Sequence, residues 1–206
     1  MSSQKQKPRK YRLKARAESE RETRARIVRA AMDLHKEVGP AKTTVAEVAR
    51  RAGVTRLTVY NHFPDDAVLF SACQAHWLEL HPLPDFSTAL AVPDPHERVR
   101  SVLHSSYAWY RKTAPMAEKI QRDRGSIPAL DSLLKRTTDV RFSQLSEALA
   151  AGFGKGGRGA NRILIRLALD FWAWHRLSAE GLSDKAAADL MANAVGNSLA
   201  VPGVER

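Results

Sequence analysis

What this 206-residue chain lacks narrows its class before any motif is considered. It has a single cysteine, Cys73, so no intramolecular disulfide can form and stability must come from a buried apolar core. Cys73 lies among apolar residues at helical spacing, where an inert core thiol is expected rather than a redox sensor. No uninterrupted apolar run approaches the ~20 residues a membrane-spanning helix requires, so no membrane span is expected. The basic start also lacks the apolar segment and small-residue cleavage site of a secretory signal, which points to the cytoplasm. No strand-period alternation is present, and the fold class read from the pattern is all-α. His76 and His81 stand five residues apart, off the shared helical face that metal ligands use, so no metal and no cofactor is expected. No nucleophile, base and orienting group can be recognised by spacing, so no catalytic residue is assigned and the chain is not read as an enzyme. Groups distant in sequence would escape that test.

Acidic residues are scarce in the first third of the chain. Residues 1–63 hold 16 Lys or Arg against 6 Asp or Glu, a net of +10, whereas residues 64–206 hold 17 against 16. A field concentrated in this way attracts a polyanion, with nucleic acid leading through counterion release and an anionic membrane as the competing partner. Residues 1–21 form a basic arm, including Lys5, Lys7, Lys14 and Arg16, with too little apolar material for a core and therefore expected to be disordered.

From Glu22 the pattern becomes helical. Ile27, Ala30, Ala31 and Leu34 share one face, and Gly39 is positioned to end that helix in a left-handed cap. Thr44 to Phe63 then reads TVAEVARRAGVTRLTVYNHF. Thr44 caps a short helix, Glu47 is placed to complete a capping box, Gly53 allows a tight turn, and Thr55 caps a second helix that ends before Pro64. Val45, Val48, Ala49, Ala52 and Val54 pack the pair together. The exposed face of the second helix offers Arg56, Thr58, Asn61 and His62 to base edges and phosphates, the arrangement of a helix-turn-helix. Without its basic setting, the same helix pair would serve equally as a structural corner.

This segment resembles the TetR family of transcriptional regulators, through the run Ala52-Gly53-Val54-Thr55 and the ending Tyr60-Asn61-His62-Phe63. The resemblance covers about residues 22–80. It implies an all-helical homodimer on a palindromic operator of double-stranded DNA, usually as a repressor, with a variable C-terminal domain that often binds a small effector. It places Thr44 at a phosphate, Thr55 at the start of the recognition helix, Arg56 and Thr58 near bases, and Tyr60 and Asn61 at phosphates. Two positions depart from the family pattern. Leu57 stands where a small residue is usual, and offers contact to a thymine methyl; Asp66 stands where a phosphate-gripping lysine is common. Loss of that lysine shifts electrostatic attraction to Arg9, Lys10 and Arg12, for the minor groove or flanking phosphates, unless the arm is a solubility tail.

The expected division is thus a basic arm over 1–21, a DNA-binding domain over 22–66, and a helical dimerisation and effector domain over 67–206. Within the last, a helix ends near His81, a proline-rich connection covers 82–95, and Pro115 is expected to break the next helix. One helix is expected over 128–151, a loop over Gly152 to Gly159, one apolar helix over 160–177 and a final helix from Ser183 to about Leu199. The glycine spacing at 154–159 matches a dinucleotide fingerprint, but it follows a helix, so a loop is the reading. The 160–177 helix is apolar on most faces and Gly196 permits close helix approach; a dimer interface or burial within one bundle accounts for both. Trp77, Tyr107, Trp109, Tyr110, Phe142, Phe171, Trp172, Trp174 and His175 are the candidates for lining a pocket for a small apolar or aromatic effector. Aromatic residues at this spacing also simply fill a bundle.

Overall fold

The order of elements is helical throughout the residues that the computed structural model describes, 9–197, of which 9–12 and 155–158 are described by backbone alone. Tertiary contacts divide the chain into two units. The first holds the described residues to Leu80 together with Lys119–Leu130; the second holds His81–Glu118 and the described residues from Asp131.

In the first unit, α1 (Arg9–Glu37) packs on α2 (Val45–Ala52) and α4 (Asp66–Leu80), with α3 (Arg56–His62) set against α2. Its core is built from Ile27, Ala31 and Leu34 of α1, Val48 and Ala49 of α2, Val59 and Phe63, and Leu69, Phe70 and Cys73 of α4. The helical face expected of α1 is therefore the buried one. The first unit runs past residue 66 because α4 is packed there: the Phe70 ring lies 5.5 Å from that of His35, and the Cys73 thiol points at the Val28 carbonyl. Burial pushes that thiol up to about 12, against a smaller opposing pull from Arg24, so it stays protonated and unreactive.

Two features of α1 differ from the sequence pattern. The helix begins at Arg9, not Glu22, and residues 13–20 are exposed. No apolar stripe announces this extension; strong helix formers and ion pairs between Arg16 and Glu20 (3.1 Å) and between Arg21 and Glu18 support it instead. At the other end, Gly39 has φ 93° and ψ 158°, so it is not in the left-handed helical conformation, and a short 3-10 turn, Pro40–Lys42, follows it. A side chain at Gly39 would meet the Asp123 carboxylate and the Arg122 guanidinium. Asp123, buried, accepts the Ala41 N–H at 3.0 Å and the Arg122 Nε–H at 2.7 Å. The Arg122 hydrogen bond holds its carboxyl below the usual range. Gly39→Ala is expected to destabilise the protein by about 1–3 kcal/mol, through positive φ and this collision together. Chemical denaturation checks it, and an unchanged midpoint would mean that neither constraint is felt.

The second unit is a bundle of α5 (Ser87–Leu90), most of α6 (Pro95–Asp123), the greater part of α7 (Pro128–Arg136), and α8 (Thr138–Ala150), α9 (Gly154–Ala168), α10 (Phe171–Ala179) and α11 (Asp184–Gly196). Val99, Val102, Leu103, Tyr107, Leu149, Ile165, Trp174 and Val195 form its centre. Four expectations are corrected here. Pro115 does not end its helix; α6 runs through it, with Tyr110, Thr113 and Met116 buried around it and the Thr113 hydroxyl donating to the Trp109 carbonyl at 2.9 Å. The 128–151 helix is two, interrupted at Thr137 (φ −118°, ψ −81°). The glycine-rich segment is not a loop, because α9 starts at Gly154. The 160–177 helix is broken at Asp170, whose carboxylate caps α10 by accepting the N–H groups of Trp172 (2.8 Å) and Ala173 (3.0 Å). The last helix is capped by Ser183 as expected, with 198–199 outside the described residues. The close approach that Gly196 permits is made to His96 of α6 within this unit.

Candidate nucleic-acid interface

The helix-turn-helix is assembled by interactions within a few residues. Thr44 caps α2, its hydroxyl accepting the Glu47 N–H at 3.2 Å. The expected capping box is only half formed, because the Glu47 carboxylate turns to Arg50, accepting from Nε at 3.0 Å and Nη2 at 2.5 Å. Gly53 ends α2 at φ 66°, ψ 42°, the left-handed conformation open to glycine, and the Val54 N–H returns to the Ala49 carbonyl at 3.0 Å. Thr55 caps α3 by accepting the Thr58 N–H at 3.1 Å.

Burial gives α3 two sides. Val59 and the capping residue Phe63 are inside, 1% and 3% exposed, and the Arg24 guanidinium lies 4.7 Å from the Phe63 ring centre. Arg56, Leu57, Tyr60 and Asn61 are outside. Thr44 and Thr55 are exposed at the two caps, and Thr58 and His62 are half-buried. The Thr58 hydroxyl is 2.9 Å from that of Thr55, so it is shared between holding the first turn and facing outward. Arg51 of α2 is bound in bidentate fashion by Glu37 of α1, at 2.6 and 2.7 Å, which holds the Glu37 carboxyl below its ordinary range. Sequence reasoning missed this brace, since the partners are fourteen residues apart and belong to different helices. At α4 it is Asp65 that accepts the Val68 N–H, at 2.9 Å, while Asp66 is exposed in the first turn. The side chains of Arg9, Lys10 and Arg12 lie outside the described residues.

Eight of the nine aromatic and histidine candidates for an effector pocket are brought together, in one network of ring contacts centred on Tyr110 and Phe171. Trp77 is on α4 in the first unit; the others are in the second. Tyr107, Tyr110, Phe171 and Trp174 are core residues, and the polar ends of the two tyrosines and the tryptophan are satisfied. The Tyr107 and Tyr110 hydroxyls donate to the Ala168 and Leu169 carbonyls at 2.8 and 2.5 Å, and burial raises both phenol pKa values further above their ordinary range. Trp174 Nε1–H donates to Asp184 at 3.0 Å, and Arg111, paired with the same carboxylate, lies 5.1 Å from the indole centre. Trp109 is half-buried and donates to the His81 carbonyl at 3.3 Å; Phe142 is half-buried at 6.2 Å from Tyr110. Trp172 is 41% exposed, with the half-buried His175 at 5.4 Å. An open cleft of about 720 Å³ lies in the first unit between α1 and α4, with Arg24, Val28, Val68 and His76 on its walls and none of the nine residues. Among the described residues no three His, Cys, Asp or Glu are grouped to hold a metal, and no helix is long and apolar enough to cross a membrane.

Residues 27–73, which span the last part of α1, the helix-turn-helix and the first half of α4, match the family model described as bacterial regulatory proteins, tetR family. This segment is a helix-turn-helix domain of the tetR type. The chain is 42% identical over 64 residues to the HTH-type transcriptional regulator TtgR of Pseudomonas putida, covering 31% of this chain and 30% of that protein. It is 29% identical over 133 residues to the regulator BetI of Burkholderia ambifaria, covering 64% and 68% respectively. The match to TtgR therefore spans under a third of that relative's length. Over most of the chain the fold is that of a TetR-like regulator from Rhodococcus sp. RHA1 (TM-score 0.58, 20% identity, 84% of this chain and 93% of that one). It is also that of NalD, the secondary repressor of the MexAB-OprM multidrug efflux pump in Pseudomonas aeruginosa (TM-score 0.56, 20% identity, 87% and 96%). The relatives are named as transcriptional regulators.

Proposed function

We propose that this chain is a transcriptional repressor that binds an inverted repeat of double-stranded DNA as a homodimer and is released by a small apolar or aromatic effector. The observation that carries the reading is α3, a helix capped by Thr55, anchored through Val59 and Phe63, and presenting Arg56, Leu57, Tyr60 and Asn61 to solvent beside an N-terminal region of net +10. Such a helix enters the major groove with its first turns at the base edges, and a two-fold dimer sets two of them roughly 34–36 Å apart. Self-association is supported by α9 and α11, which pack on each other and leave Ile163, Leu167 and Leu190 about half exposed, at 51%, 52% and 49%. The backbone is helical from Arg9, and a helix of about 10–12 Å does not fit a minor groove of ~6 Å, which supports flanking phosphates over the minor groove as the contacts of Arg9, Lys10 and Arg12. An effector acts by its preference for a conformation in which the two heads no longer match the operator spacing.

Selection from a random duplex pool, followed by titration of the recovered and a scrambled sequence at one stated near-physiological salt, tests this function. An enriched inverted repeat with strong discrimination is the expected result. Weak binding without preference would leave only general affinity for polyanions and overturn the regulator reading.

A further inference from the structure

Leu57 is 68% exposed, more than any other large apolar side chain among the described residues, and it sits in the first turn of α3. The helix is anchored elsewhere, by Val59 and Phe63, so Leu57 has no packing duty in the free protein. Its surroundings on the outer face are Arg56, Tyr60 and Asn61, all exposed, which makes a lone apolar group within a polar surface rather than a patch broad enough for a protein partner. In the major groove the apolar group carried by a base edge is the C5-methyl of thymine. A leucine offers no donor and no acceptor, so an adenine or cytosine amino group set against it would lose water without a new partner.

We infer that Leu57 is a specificity residue that reads the C5-methyl of one thymine in each half-site. This rests on the reading of α3 as the DNA-contacting helix. The test uses the full-length protein and the operator recovered by selection, in which each symmetry-related pair of thymines is replaced in turn by deoxyuridine, removing only the methyl. Binding is followed by fluorescence anisotropy for the natural protein and for Leu57→Ala, an exposed substitution checked by circular dichroism. Loss of one buried methyl per half-site is expected to weaken the natural protein about fourfold for each half-site, about fifteenfold together, at one pair of positions. Leu57→Ala is expected to bind with no deoxyuridine penalty at that pair while still preferring operator to scrambled DNA. A uniform response to every replacement, or a penalty that persists in Leu57→Ala, would overturn the inference and leave the DNA-binding reading intact. Failure to enrich any operator would overturn both.

Discussion

Arg56→Ala is expected to weaken binding to the selected operator by about 5- to 150-fold per half-site while leaving affinity for scrambled DNA nearly unchanged. That range corresponds to the ~1–3 kcal/mol of discrimination that a bidentate arginine–guanine contact supplies. Three arginines lie in the helix-turn-helix, and their surroundings separate their roles. Arg50 is engaged by Glu47 and Arg51 by Glu37, so each donates within the protein. Arg56 stands exposed in the first turn of α3, where a side chain in the major groove reaches base edges. Parallel anisotropy titrations of operator and scrambled duplex at several salt concentrations check the assignment. An equal loss on both duplexes with a shallower salt dependence would mark Arg56 as a phosphate contact, and its base-reading role would be wrong.

Acidification from pH 7 toward pH 4 is expected to cost the folded state about 3 kcal/mol through His35 alone. His35 is 3% exposed and packs against Phe70, and burial lowers its pKa from 6.5 to about 4, against a smaller upward pull from Asp123. Below pH 6.5 the unfolded chain takes up a proton that the folded chain refuses, so the contribution is complete above 6.5 and is lost as pH falls toward 4. The carboxylates of Glu37, Glu47 and Asp123, held below their ordinary range by hydrogen bonds from neighbouring arginines, begin to add their own losses as pH falls through their ordinary values, 4.5 for the glutamates and 3.8 for the aspartate. Denaturant unfolding at half-unit pH steps, compared between the natural protein and His35→Phe, separates the contributions. The variant keeps an aromatic ring beside Phe70 but cannot titrate, so its stability is expected to fall by much less than that of the natural protein between pH 6.5 and about 5, above the range where the carboxylates contribute. The same slope in both proteins would place the titrating group elsewhere.

The candidate DNA face was more legible in the sequence than the bundle of the second unit. Thr44, Gly53 and Thr55 each act on a backbone group within four residues, so residue type alone predicts the cap or turn. Val59 and Phe63 follow from helical spacing. The exposure of Leu57 follows from the same spacing. Other local signals misled because a second local interaction competed: Glu47 turned to Arg50 instead of closing the capping box, and Asp170 capped a new helix within what reads as a continuous apolar run. The extension of α1 went unseen because a helix solvated on every side carries no apolar stripe.

The sequence by itself determined an all-helical chain, the place of its helix-turn-helix and the polar face of the second helix, because caps, turns and helical periodicity operate over spans of a few residues. Only the tertiary structure decided that α6 continues through Pro115, that Gly39 is shaped around Asp123, and that Tyr107 and Tyr110 are buried with their hydroxyls held by backbone carbonyls. Those outcomes rest on partners remote in sequence: Ala41 and Asp123 are 82 residues apart, and Tyr107 and Tyr110 meet their carbonyls 61 and 59 residues away. An aromatic residue at helical spacing has the same local pattern whether it lines a cavity or fills a core, and the difference is set by which distant backbone group reaches its polar end.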